Sequence, residues 1–253
     1  MVIQTRDRQL LQELAVMRVV DREQAKTIAG FRSTSRANVR LLALTHAGFL
    51  RRFFLGSRGV GRKALYALAT KGAKFAEVPM RGPRRRSGEL LIADYFVEHQ
   101  LTINEVYCAL KAGQLPPDIR FIRWLPFFAP LEGTRLIPDG YAELAMPLGV
   151  LAAFFEVDLG HESLSVWRQK IKQYLDYALS GRYAHAFGHA IFRVLVIAHS
   201  ARRLLFLRDA TAGVTRKLFW FASLDAFREQ GVFAPIWYRA QVRTSHDLPA
   251  PLT

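Results

Sequence analysis

The chain has 253 residues, enough for one large domain or two of ordinary size. Half of them (51%) are hydrophobic and 12% are aromatic, which excludes a disordered chain. Its net charge of +15 sits almost wholly in residues 1–88, where 19 Lys+Arg face 5 Asp+Glu; the remainder holds 17 against 16. A compact basic module joined to a neutral one implies a polyanion-binding unit attached to something else.

In chain order, Leu10, Leu11, Leu14 and Met17 recur at helical spacing and predict a first helix over 6–17. Val19 and Val20 form a short extended link. Asp21 is placed to cap a second helix over 22–29, which Gly30 ends. Ser33 or Thr34 caps a third helix running to His46, closed by Gly48. On that helix Val39, Leu42 and Leu44 are expected inside, and Arg36 and Arg40 on one outward stripe. Two apolar runs then flank a Gly/Ser/Arg tip, the pattern of a β-hairpin, and Thr70 is expected to cap a fourth helix. Residues 78–88 read as a basic linker, broken by Pro79, Gly82 and Pro83.

Beyond the linker, residues 89–98 and 102–113 read as two helices. Strands are expected over 121–129, 135–144 with a turn at Pro138-Asp139-Gly140, 149–159 and 192–199, with a last one over 236–242. An amphipathic helix spans 164–179. Residues 204–208 and 217–221 fit either type. The expected class is α+β or α/β: a basic helical module over 1–77, a linker over 78–88, and a mixed sheet flanked by helices over 89–253.

Cys108 is the sole cysteine, which excludes a disulfide framework and a Cys-based zinc site. The N-terminus lacks a signal-peptide core, and the longest uncharged run, between Glu143 and Glu156, is too short to span a bilayer. A cytoplasmic protein with no membrane partner is expected.

Chemistry concentrates on the strands after the linker. Asp139 sits at a strand turn, and Glu156 and Asp158, two residues apart on an apolar strand, face the same side. Carboxylates crowded on a buried surface need a compensating cation or donors. Three of them near one spot suit a hard cation, with Mg²⁺ the natural ion. Glu162 is expected as a helix first-turn acid. His185 and His189 are four apart but lack the intervening Glu of zinc proteases, and His161 reads as a surface turn residue.

The helices and basic hairpin, from Ala47-Gly48-Phe49-Leu50 to Tyr66-Ala67-Leu68-Ala69-Thr70-Lys71-Gly72, resemble a winged helix-turn-helix. That resemblance implies double-stranded DNA as partner, with Arg32, Ser33, Ser35, Arg36 and Arg40 at the major groove. Arg51, Arg52, Arg58, Arg62 and Lys63 would then meet phosphates. Pro138-Asp139, Glu156 and the following helix resemble the PD-(D/E)xK nucleases, the restriction-endonuclease-like fold. Asp158 stands where that pattern has Lys, and Lys170 or Lys172 on the next helix could supply the charge. Lys170 and Tyr174, and Gln173 and Tyr177, are i,i+4 pairs for which ordinary helix packing suffices.

A wider resemblance covers almost the whole chain. The basic winged helix, Pro-Asp-Gly, Phe-Glu-Val-Asp-Leu-Gly-His-Glu-Ser and Lys-Ile-Lys-Gln-Tyr are similar to the replication-relaxation family of plasmids and other mobile elements. By that resemblance Glu162 joins the acidic group, and a relaxase or replication protein is an expected partner. Three functions remain open. The first is a DNA-binding protein with a degenerate nuclease-like domain. The second is a Mg²⁺-dependent endonuclease or nickase using Asp139, Glu156, Asp158 and Lys170. The third is a winged-helix transcriptional regulator acting as a homodimer.

Overall fold

The computed structural model describes residues 2–56, 63–82, 90–91, 95–240 and 249–252. The chain divides into two compact units, residues 1–113 and 114–253.

In the first unit, α1 (Thr5–Met17) is followed by β1 (Val20–Asp21), α2 (Arg22–Ile28) and α3 (Thr34–His46). Asp21 caps α2 by accepting from Gln24 N at 2.8 Å, and Ser33 caps α3 by accepting from Arg36 N at 3.3 Å. Next comes an antiparallel hairpin of β2 (Leu50–Leu55) and β3 (Lys63–Leu68), in register from Leu50 opposite Leu68 to Leu55 opposite Lys63. The strand β1 pairs with β3 on the far side. After α4 (Thr70–Ala76), the short β4 (Leu90–Leu91) runs parallel to β2. Leu10, Leu11, Leu14, Ala25, Ala37, Leu41, Leu44, Phe53 and Leu65 are fully buried between the helices and the hairpin.

Several local expectations change. Thr70 does not cap α4: Ala69 holds the cap position, and the Thr70 hydroxyl donates to Met80 Sδ at 3.4 Å. Val39 points outward, 70% exposed. The two helices expected over 89–113 are, among the described residues, a single helix α5 (Tyr95–Ala112). No Gly or Pro lies within Tyr95–Ala112 to break it.

That helix belongs to the first unit. Asn104 Nδ2 donates to Met17 O at 3.1 Å and Val19 O at 2.6 Å, which satisfies carbonyls at the end of α1. Gln24 Nε2 donates to Leu101 O at 2.7 Å. Tyr107 and Lys111 each donate to Glu13 at 2.6 Å. The division between the units therefore falls at Gly113, 25 residues beyond the end of the basic linker.

The second unit is built on a six-stranded sheet in the order β10-β9-β8-β7-β6-β5. Here β5 is Arg120–Leu125, β6 Gly140–Met146, β7 Gly149–Asp158, β8 Arg193–Ala198, β9 Phe219–Ser223 and β10 Tyr238–Arg239. β5, β6 and β7 form an antiparallel meander; β7, β8 and β9 are parallel; β10 closes the edge antiparallel. The parallel steps need crossovers. The first contains α6 (Leu164–Leu179) and α7 (Arg182–Phe187), the second α8 (Ala201–Ala212). A last helix, α9 (Leu224–Gln230), follows β9. Ser163, Ser200 and Ser223 cap α6, α8 and α9 through their hydroxyls.

Phe154, Trp167, Ile171, Tyr174, Tyr177, Val194, Val196, Leu207, Phe219 and Phe221 form the core between this sheet and its helices. The chain is an α+β protein, as its patterning implies. Among the described residues no helix is long and apolar enough to cross a membrane.

Candidate functional site

Two places in the chain gather the residues singled out by sequence, one in each unit. In the first unit the burial of Ala37, Leu41 and Leu44 fixes the rotation of α3. Its outward side carries Ser35, Arg36, Val39 and His46, all exposed, with Arg32 exposed just ahead of the helix. Ser33 is the helix cap, so its hydroxyl already accepts from the backbone.

Arg40 does not share this surface, contrary to expectation. Its Nε donates to Asp7 Oδ1 at 2.7 Å, its Nη2 pairs with Asp7 Oδ2, and Nη2 also donates to Val2 O at 2.7 Å. The hydrogen bond to Asp7 raises the Arg40 pKa against the opposing effect of burial. Asp7 is fully buried, so Arg40 compensates a carboxylate and ties α3 to α1.

The hairpin cations are partly engaged as well. Arg51 Nε donates to Leu68 O at 3.1 Å, and burial lowers its pKa. The Arg52 guanidinium lies 5.2 Å from the Phe54 ring centroid. Lys63 Nζ pairs with Asp21 Oδ2 at 2.5 Å while its side chain stays half exposed. Arg58 and Arg62 lie outside the described residues.

In the second unit Asp139 sits in the turn before β6. Its position is set by Gly140, where an added Cβ would come within 2.0 Å of the Trp124 ring. Asp139 Oδ2 accepts from Val157 N at 2.7 Å, which joins the turn to β7. On β7, Glu156 and Asp158 face the same side, as the alternation of a strand requires. Both are buried, 2% and 4% exposed.

The two carboxylates meet different partners. Glu156 Oε2 accepts from Lys170 Nζ at 2.8 Å, and Oε1 accepts from the Tyr174 hydroxyl at 2.5 Å. Lys170 Nζ also pairs with Glu162 Oε1 at 2.6 Å. Burial pushes the Glu156 carboxyl up, with Lys170 pulling it down and Asp139 adding to the rise; the net value is about 7. Burial alone would discharge Lys170, but the charges of Glu156, Asp139 and Glu162 outweigh it and hold the ammonium above its ordinary value. Lys170 therefore remains charged, and Tyr174 is held well above its ordinary value by burial and by Glu156.

Asp158 is clamped by Arg203 of α8, Nε to Oδ1 at 2.9 Å and Nη2 to Oδ2 at 2.8 Å, and it also accepts from Gly160 N at 2.7 Å. Arg203 Nη2 reaches Glu162 O at 2.6 Å as well.

The three carboxylates of the expected cation site are thus each engaged within the chain. Among the described residues no group of three or more His, Cys, Asp or Glu is disposed to hold a metal ion. The oxygens of Glu156 already face Lys170 and Tyr174, and those of Asp158 face Arg203. The donor set thus does not fit a resident Mg²⁺, whose ligands are oxygens free of competing cations. Lys170 is brought to Glu156 as its place on the following helix suggested, and the i,i+4 pair with Tyr174 converges on one carboxylate. The second pair does not converge in this way: Tyr177 is buried in the core, and Gln173 Oε1 is buried without a partner.

Arg203 was not foreseen, because its partner lies 45 residues away and no local pattern marks it. A second polar cluster was also unforeseen. Glu143 accepts from Arg123 and from the Tyr141 hydroxyl, and His189 Nε2 lies 3.2 Å from it. His185 lies within α7 and His189 beyond its end, with Gly188 in the left-handed region between them. The two histidines therefore do not share a helix face.

The family model described as replication-relaxation matches residues 11–191. Comparison with curated proteins gave no match. Comparison with solved structures also gave none. The family match reaches from α1 to the residues just before β8, well over half the chain, and by it this protein belongs to the replication-relaxation family.

Proposed function

We propose that the chain is a double-stranded-DNA-binding protein serving replication or processing of a plasmid or other mobile element. In this reading the first unit is a winged helix-turn-helix. Its helix α3 enters the major groove, and the β2–β3 hairpin lies along the phosphates. The second unit is a restriction-endonuclease-like sheet whose acidic residues are neutralised by the chain's own cations, and it serves recognition or assembly. A relaxase or replication protein is the partner such assembly implies. The observation that carries the reading is the exposed face of α3, with Arg32, Ser35 and Arg36 outward, in the part of the chain that holds nearly all the excess positive charge.

Two measurements test it. A labelled duplex titrated with Arg32→Ala/Arg36→Ala should bind more than about tenfold more weakly at moderate salt, since the groove loses two cations and with them two sets of base-edge contacts. Unchanged affinity would overturn the groove assignment. Supercoiled plasmid incubated with Mg²⁺, Mn²⁺ or EDTA should stay intact with the wild-type protein and with Asp139→Ala/Glu156→Ala. Metal-dependent nicking lost in the double variant would overturn the neutralised site and make the second unit a phosphodiesterase.

A further inference from the structure

The α3 face carries one residue that charge does not explain. Among the apolar residues of α3, Ala37, Leu41 and Leu44 are wholly buried and Leu42 and Ala43 are half-buried, whereas Val39 is 70% exposed. A single exposed valine is commonplace on protein surfaces. This one occupies the middle of the outward stripe, three residues from Arg36 and four from Ser35, the spacings that make helical neighbours. Ser35, Arg36 and Val39 lie within about 6 Å along the helix axis, roughly two base-pair steps. The flanking arginines give the face the charge of a polyanion partner.

In the major groove thymine alone among the four bases presents a methyl group, and apolar side chains are what recognise it. Arginine and serine beside the valine supply the polar half of such a contact. We infer that Val39 reads the methyl group of a thymine, so the duplex bound by this protein carries a T·A pair opposite the centre of α3. The inference rests on the reading of α3 as the groove-entering helix and names what that helix selects. Val39 is 70% exposed, so its replacement disturbs little of the unit's packing.

The test uses the full chain. Binding sites are first selected from a random duplex pool, and each thymine of the selected site is then replaced in turn by deoxyuridine, which pairs identically and lacks only the methyl. At one position the wild-type protein should lose about fourfold in affinity, the factor expected for one buried methyl. Val39→Ser should bind the thymine and deoxyuridine duplexes equally, with an unchanged melting temperature. If no position shows a deoxyuridine penalty, or if Val39→Ser keeps the wild-type penalty, the inference is overturned while the DNA interface stands. If the wild-type protein binds no duplex, the interface reading falls, and this inference with it.

Discussion

Removing the Lys170 ammonium while keeping its bulk, as in Lys170→Met, should strand the Glu156 carboxylate in the core of the second unit. The Glu156 side chain is 3% exposed and that of Lys170 21%, so neither is freely hydrated. Breaking such a pair from one side costs about 3–5 kcal/mol when the remaining charge stays buried. The cost depends on pH, and its sign follows from proton counts. In the wild type Glu156 has a folded-state pKa of about 7, above its ordinary value of 4.5. The folded state therefore holds a proton that the unfolded state has released, and this contribution to stability falls as pH rises from about 4.5 to about 7 and is flat above that.

Without Lys170 the carboxyl loses the cation that pulls it down, and its pKa rises further. The variant then keeps losing stability above pH 7, at about 1.4 kcal/mol per pH unit, where the wild type does not. At about 2–4 °C per kcal/mol the gap in melting temperature should widen by at most roughly 3–6 °C between pH 7 and pH 8. Thermal unfolding followed by circular dichroism over that range measures it. Glu156→Gln/Lys170→Met, which carries neither charge, should show a gap that does not widen. Parallel wild-type and Lys170→Met profiles would refute the view that the ammonium compensates Glu156.

Arg40→Ala should lower stability by about 3–5 kcal/mol, because buried Asp7 loses its partner; the folded protein should bind DNA as before, and lost affinity at unchanged stability would return Arg40 to the interface. Gly140→Ala places a Cβ against the Trp124 ring and should cost at least about 1–3 kcal/mol, the usual penalty of overpacking, read from denaturant unfolding. Ser163→Ala removes the α6 cap and should cost about 1 kcal/mol in the same assay, with no effect on DNA affinity.

Local periodicity carried most of the fold. The bounds of α6 follow from its apolar face, and the strands β7 and β8 from their continuous apolar runs, because each is buried by neighbours on both sides. Where the reading missed Val39 it followed residue type instead of phase. Ala37, Leu41 and Leu44 define the inward stripe, and Val39 lies about 200° round the helix from Ala37 at 100° per residue. Helix α8 went unread although Ser200 marks its start, because its apolar residues are interrupted by Arg202, Arg203 and Arg208. The placement of α5 in the first unit depends on Asn104, Tyr107 and Lys111 meeting groups 85 to 98 residues earlier in the chain. No window of local sequence contains such pairs. The same holds for part of the site: Glu156, Asp158 and Lys170 could be seen in sequence, but that Arg203 faces Asp158 is a tertiary fact.

The topology of the second unit supplies those cations. A strand buried on both faces cannot keep two carboxylates on one side without compensation. The chain leaves β7 at Asp158 and returns to the sheet twice, and each crossover brings a helix to the face that Glu156 and Asp158 occupy. α6 delivers Lys170 and Tyr174 to Glu156, and α8 delivers Arg203 to Asp158. Glu162 is tied to both: its carboxylate pairs with Lys170 and its carbonyl accepts from Arg203. Two acids of one strand thus become anchors that hold two helices to the sheet. The buried charges of the second unit are thus compensated within the fold, and the excess positive charge stays with the unit whose α3 face is turned to solvent.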